Sequence, residues 1–422
     1  MNLHVVRAGA SIWSIASQYG VTPNAIQSLN QLPSSRIVPG QTLLIPTKAR
    51  SYAVMPGDTL STIASSYGLS LSALLAANPQ IKGTAIAYGD MIKLPAVSRP
   101  DKVALGFLEL TQPEADRMHV STNAPYYTYL SLFGYGMNTA GSIIPAKDKP
   151  ALQAMSQTRA MPAATFSNWT GTDFSPDVVH TVLSNASLRG QYITEMLSIV
   201  QSKSYRAVVI DFESLHAADR ESFVQFLDQL SDKLQPLHIA LIVCLMPITG
   251  HLDYEGPIVQ AYDYDGIARH ATYIMLMSYN WAWPGGPPGP IAPLSLVEDN
   301  IRYALQQMSS QQILLGLIRY GYDWALPYQA GEATKTWGVQ AVVEKAMYEQ
   351  IAIHFDKPSA TPYLHYWDGN GKQHVIWFED ARSLQFKFQL VQKYQLAGIA
   401  AWELSERFAQ FNPLMTDQFQ IQ

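Results

Sequence analysis

Cysteine is almost missing from this chain: Cys244 is the single one among 422 residues, which excludes an internal disulfide and a cysteine-rich metal site. It lies in the apolar run Ile239-Ala-Leu-Ile-Val-Cys-Leu-Met246, where a thiol is expected to be buried and inert rather than nucleophilic. Charge is scarce as well. Asp, Glu, Lys and Arg make up 14% of the residues and leave a net charge of −5, so nothing marks out a nucleic-acid partner, and no basic run suits a membrane surface. No apolar run reaches the ~20 residues of a membrane-spanning helix. The chain passes from Met1 directly into patterned sequence, without a charged segment followed by an apolar one. The expectation is therefore no signal peptide, synthesis in the cytosol and no membrane partner. A hydrophobic content of 48% is that of a folded protein, and the length calls for two or more domains.

The first hundred residues contain a repeat. Val6-Arg-Ala-Gly-Ala-Ser-Ile12 aligns with Val54-Met-Pro-Gly-Asp-Thr-Leu60, and Ile15-Ala-Ser-Gln-Tyr-Gly20 with Ile63-Ala-Ser-Ser-Tyr-Gly68. Asn30 falls on Asn78, and Gly40-Gln-Thr-Leu-Leu-Ile-Pro46 falls on Gly89-Asp-Met-Ile-Lys-Leu-Pro95 after a one-residue slip. Each unit reads as a short strand, a glycine turn, two short helices and a closing strand that stops at proline. This pattern resembles the LysM module. The resemblance implies two βααβ modules, over residues 1–47 and 51–96, each binding an N-acetylglucosamine-containing glycan such as peptidoglycan. It places the glycan contacts at Gly9, Ser11, Ile12 and Asn30 in the first unit and at Gly57, Asp58, Thr59, Leu60 and Asn78 in the second. Ala10 stands where the second unit has Asp58, so the second groove carries one more polar contact. Turn and capping chemistry alone accounts for the same Gly, Asp, Ser and Thr residues.

After a linker at 97–102, short apolar runs alternate with helical patterns, as in βα units feeding a parallel sheet. Eight runs qualify as strands: 103–110, 126–133, 160–166, 207–211, 239–246, 273–277, 313–318 and 398–402. That number over residues 102–422 suits a (β/α)8 TIM barrel. An oversized interval, 325–377, reads as a small α+β insertion between strands 7 and 8 that walls a cleft. Its helical run spans 339–354, and a hairpin turns at Asn370-Gly371.

The fourth run, Tyr205-Arg-Ala-Val-Val-Ile-Asp-Phe-Glu213, ends in two carboxylates one residue apart. Residues i and i+2 of a strand share a side, so Asp211 and Glu213 project together from the strand's carboxyl end while Phe212 turns away. Two carboxylates this close cannot both ionise freely, and a raised pKa is what a general acid requires. A strand end followed by a helix-starting carboxylate explains this segment equally well when it is taken alone. Other strand ends add Tyr279, Asn280 and Trp281, then Tyr322, then Trp402: aromatics with a few polar groups, as a sugar ring requires.

With Asp-x-Glu at the fourth strand, Met-x-Tyr at the sixth and Trp at the eighth, the chain from Lys102 onward resembles a family 18 glycoside hydrolase, a chitinase-like barrel. With its two LysM units, it is most similar to the spore cortical fragment-lytic N-acetylglucosaminidases of spore-forming bacilli. The resemblance implies a retaining glycosidase that cleaves β-linked N-acetylglucosaminyl bonds of peptidoglycan in spore cortex fragments. Glu213 is implied as the acid, and Asp211 as the carboxylate that orients the substrate's own acetamide for attack on the anomeric carbon. Tyr279 is implied to hydrogen-bond that acetamide, and Trp402 to form the floor beneath the sugar. Asn280, Trp281 and Tyr322 complete the substrate-binding set. Chitin as substrate, and a catalytically weak glycan-binding coat protein, are the alternatives. No cofactor and no metal are expected, the chain is expected to be a monomer, and the resemblance implies deposition on the spore. The fuller family motif has aspartates four and seven residues before the acid; here Val209 and Arg206 occupy those places, and Asn280 stands where many relatives are acidic. Gly134-x-Gly136 reads as a turn, and Glu379, Asp380 and Ser383 as helix capping.

Overall fold

The computed structural model describes every residue except 48–50, 55–56, 88, 96–98 and 251–256. Outside the described residues therefore lie Met55 and Pro56 of the second repeat and residues 97–98 of the expected linker.

Eight parallel strands close into a barrel: Asp101–Glu109, Tyr129–Met137, Met161–Ser167, Ala207–Asp211, Ala240–Leu245, Tyr273–Leu276, Ile313–Ile318 and Gly398–Trp402. Each pairs with the next, and the eighth pairs with the first. Strands buried on both faces need continuous apolar sequence, which is why all eight were visible as apolar runs. Two strands differ from the sequence reading by more than one residue. The first strand begins at Asp101, inside the expected linker, and pairs there with the C-terminal Gln420–Ile421. The second strand continues to Met137 through an irregularity between Phe133 and Tyr135, so Gly134 and Gly136 belong to a strand and not to a turn. Gly136 is required by a close approach: a Cβ there would lie 2.2 Å from the Trp169 carbonyl oxygen.

The insertion is a five-stranded antiparallel sheet with the helix Val339–Glu349 packed on it. It begins at Tyr320, earlier than expected, because strand Tyr320–Leu326 leaves the seventh barrel strand after Arg319 alone. The hairpin of Thr361–Trp367 with Gln373–Trp377 turns through Asp368–Lys372, where Gly371 has φ +75°. Asp380 caps helix Ala381–Lys393 in a capping box with Ser383, and buried Glu379 pairs with Lys387 at 2.8 Å.

Both N-terminal units are βααβ. The first pairs Asn2–Val5 with Thr42–Ile45 around helices Ile12–Tyr19 and Pro23–Leu29, and the second pairs Ser51–Ala53 with Met91–Lys93 around Leu60–Ser66 and Leu71–Ala76. Their small cores are separate from each other, but Leu3, Val38 and Leu44 of the first unit belong to the core of the barrel. Gln410 donates to Asn30 Oδ1 (2.8 Å) and to the Thr42 carbonyl (2.7 Å), while Thr42 donates to Asp380 (2.5 Å). The first module is therefore docked on the barrel.

Candidate active site

The fourth strand delivers its two carboxylates as the pleat requires. Phe212 turns outward into the helix layer against Phe223 and Phe226, with ring centroids 5.9 and 5.5 Å away. Asp211 and Glu213 turn the other way and line one cavity of about 210 Å³ at the carboxyl ends of the strands. Tyr279, Asn280 and Trp402 line the same cavity, so five of the seven residues expected for catalysis and substrate binding meet there. Phe107, Phe174, Cys244 and three methionines supply the rest of the wall. Trp402 is braced edge-on by Phe107 and Phe133, which leaves a flat apolar surface beneath the acids.

Tyr322 and Trp281, also expected in the substrate-binding set, do not line this cavity. The Tyr322 hydroxyl is turned to Asn280 Oδ1 at 3.0 Å, and Tyr320 donates to the same oxygen at 2.8 Å. Both lone pairs of that oxygen are taken, so the amide NH2 is what Asn280 can offer a ligand. Asn280 has φ +64°, a left-handed conformation that asparagine tolerates better than most residues. Trp281 is half-buried against the core, and its backbone N–H donates to the Ile291 carbonyl.

Electrostatics separate the two acids from ordinary carboxylates. Burial pushes Asp211 up to about 7 against a contact with the Cys244 thiol that draws it down. Burial, and then the negative charge of Asp211, push Glu213 well above the usual carboxylate range. Glu213 thereby holds its proton more tightly than an ordinary carboxylate, as a proton donor must. Tyr279 is held far above its ordinary value by burial and by the nearby acids, so it remains a neutral hydroxyl. Two residues escaped the sequence reading. Asn168 holds the main chain of Glu213, accepting from its N–H (2.8 Å) and donating to its carbonyl (2.7 Å). Cys244 is buried, as expected, but it adjoins the acids and is not part of a remote core.

The family profile of glycosyl hydrolases family 18 matches residues 120–406, and that of the LysM domain matches 4–46 and 52–95. The chain belongs to glycosyl hydrolase family 18. Bacillus subtilis (strain 168) YdhD is 37% identical over 409 residues, covering 97% of this chain and 96% of that protein. The cortical fragment-lytic enzyme of Bacillus cereus is 32% identical over 422 residues, covering 99% and 98%. The solved structure of the Bacillus cereus spore cortex-lytic enzyme SleL superposes with a TM-score of 0.92 at 30% identity, over 100% of this chain and 98% of that one.

In this family 18 chain, several residues expected to touch glycan in the LysM modules also have structural work. Ile12 and Leu60 are core residues. Asn30 and Asn78 are buried and clasp the closing strand from inside. Asn30 donates to the Ile26 and Leu44 carbonyls and accepts from Leu44 N–H, and Asn78 does the same with Leu74 and Lys93. These bonds take up both amide protons of each asparagine. Ser11 and Thr59 cap helices, Asp58 accepts from the Tyr52 hydroxyl at 2.6 Å, and Gly9 and Gly57 turn with φ +78° and +83°.

Proposed function

We propose that this glycosidase cleaves β-linked N-acetylglucosaminyl bonds of peptidoglycan in spore cortex fragments, with its LysM modules binding the same glycan, and that it is deposited on the spore. The observation that carries the reading is the pair Asp211 and Glu213, side by side in one cavity with Tyr279 and Asn280 above a tryptophan floor. Two of the named relatives, the Bacillus cereus cortical fragment-lytic enzyme and SleL, align with this chain over 98% of their own length, which supports the choice of substrate.

The residues suggest how the reaction runs. Glu213 gives its proton to the glycosidic oxygen while the substrate's acetamide oxygen attacks the anomeric carbon, the substrate-assisted exception to the two-carboxylate scheme. Asp211 stabilises the cationic oxazolinium formed in that step, and Tyr279 hydrogen-bonds the acetamide. Glu213, now a base, takes a proton from the water that opens the ring, which restores the starting state with retained configuration. At the substrate level the test compares wild type with Glu213→Gln on cortex fragments and on chitin oligomers, identifying new reducing ends by mass spectrometry. Loss of cortex cleavage in the variant is expected. Equal turnover by the two proteins would remove Glu213 from its role, and cleavage of chitin alone would replace the substrate.

A further inference from the structure

Asp211 enters the cavity short of partners. Its side chain is 4% exposed, and its Oδ1 is buried without a hydrogen bond. Two residues earlier on the same strand stands Val209, fully buried and apolar, so its own strand offers the carboxylate no polar support from below. A buried carboxylate without donors resists ionisation, yet the proposed reaction needs this one negative when the cation forms.

Strand register shows what can help. Ile210 pairs with Val243 across the fourth and fifth strands, so the next residues, Asp211 and Cys244, are neighbours, and both line the cavity. On the other flank Ser167 pairs with Asp211, but its hydroxyl is directed to the Tyr135 carbonyl at 3.4 Å. Beyond Cys244 comes Met275, whose thioether has no proton to give. Across the barrel at this level, Ser167, Asp211, Cys244 and Met275 form one row, and within it the thiol is the donor left for Asp211.

We propose that Cys244 is a positioning residue for the glycosidase reaction: its S–H donates to the Asp211 carboxylate and keeps it orientable and ionisable where its own strand supplies no polar support. The proposal rests on the catalytic reading above. The titratable groups facing this pair are Glu213 just past the same strand, Tyr262 after the fifth and Tyr279 after the sixth. Burial first, and then the two carboxylates, hold the thiol well above its ordinary range. It therefore remains an S–H donor at working pH and is no nucleophile. A donor to the ionised form lowers a carboxyl pKa, so removing it raises that of Asp211.

Because Cys244 is the only cysteine, its S–H stretching band in the infrared reports on this contact alone. In wild type the band is expected to move as Asp211 titrates and to shift in Asp211→Asn. In kinetics, Cys244→Ala is expected to move the acidic limb of the kcat/KM profile to higher pH by about one unit, roughly a tenfold loss at the foot of that limb. Cys244→Ser, which restores a donor, is expected to return the limb to its wild-type position. A Cys244→Ala profile that overlays wild type, or an S–H band indifferent to pH and to Asp211→Asn, overturns the proposal. Glu213→Gln in the same assay keeps the two questions apart. If it is inactive, the catalytic reading stands whatever Cys244 does; if it retains full turnover, that reading fails and the infrared band alone decides the Cys244 contact.

Discussion

The side chain of Asn168 grips Glu213 by the main chain at both ends of the residue, with its amide oxygen 2.8 Å from the Glu213 nitrogen and its amide nitrogen 2.7 Å from the Glu213 carbonyl. A third bond, to the Ser175 carbonyl at 3.1 Å, ties the same amide to the loop after the third barrel strand. Glu213 lies two residues past Asp211, the last residue of the strand, where ladder hydrogen bonds have stopped. Asn168 supplies what the sheet no longer does.

Replacing Asn168 with alanine should therefore cost about 1–3 kcal/mol of stability, from the buried polar groups left unpaired. It should also lower kcat more than it raises KM, since the acid loses its position rather than the sugar its floor. Thermal unfolding together with steady-state kinetics on cortex fragments checks both effects.

Raised carboxyl pKa values make a prediction about stability against pH. Asp211 titrates near 7 in the folded chain and in the ordinary carboxylate range when unfolded, so between those values the folded state binds more protons. Stability then falls as pH rises through that window. Asp211→Asn abolishes this cost. The variant is expected to be inactive but more stable than wild type at pH 8, by about 1–2 kcal/mol, with the difference shrinking toward pH 4. Denaturant melts at the two pH values check it, and a constant difference would show that burial does not hold Asp211 up.

Asn280→Asp places a third carboxylate at the cavity, where Tyr320 and Tyr322 already point their hydroxyls. Those donors stabilise the new charge, which in turn disfavours ionisation of Glu213. The basic limb of the pH–rate profile should move upward. An unchanged profile would deny Asn280 any influence on the acid.

Docking of the first LysM module makes a separate prediction. Gln410 satisfies Asn30 and Thr42 across the interface, and its own carbonyl accepts from the Ala381 N–H. Gln410→Ala should cost about 1–3 kcal/mol and increase hydrogen exchange at Thr42–Ile45. Gly40→Ala should act more strongly, because its φ is +82° and a Cβ would lie 1.7 Å from the Ile353 carbonyl oxygen. Cortex-fragment cleavage per folded molecule should survive both changes, since neither residue lines the catalytic cavity.

The sequence was most legible where one physical rule acts alone. Buried parallel strands demand unbroken apolar runs, so the barrel could be read strand by strand. The two-residue period of a strand puts Asp211 beside Glu213. What could not be read depends on contacts between distant segments. The closeness of Cys244 to Asp211 follows from the register of two strands about thirty residues apart, which no local pattern encodes. Asn168 is one of several polar residues at a strand end, indistinguishable in sequence from a turn former. Asn30 and Asn78 look like loop residues because asparagine usually is one. Their burial follows from four-residue spacing back into a helix combined with pairing to a strand beyond.

At the level of bond chemistry, the most direct test of the account presents the enzyme with two glycans that differ at the scissile glucosamine alone, one N-acetylated and one de-N-acetylated, and follows the anomeric configuration of the product by NMR. If the sugar's own amide is the nucleophile, with Asp211 steadying the cation and Glu213 moving the proton, the acetylated glycan is cleaved with the β-anomer appearing first and the other is left intact. Cleavage of both at similar rates, or first appearance of the α-anomer, would contradict it.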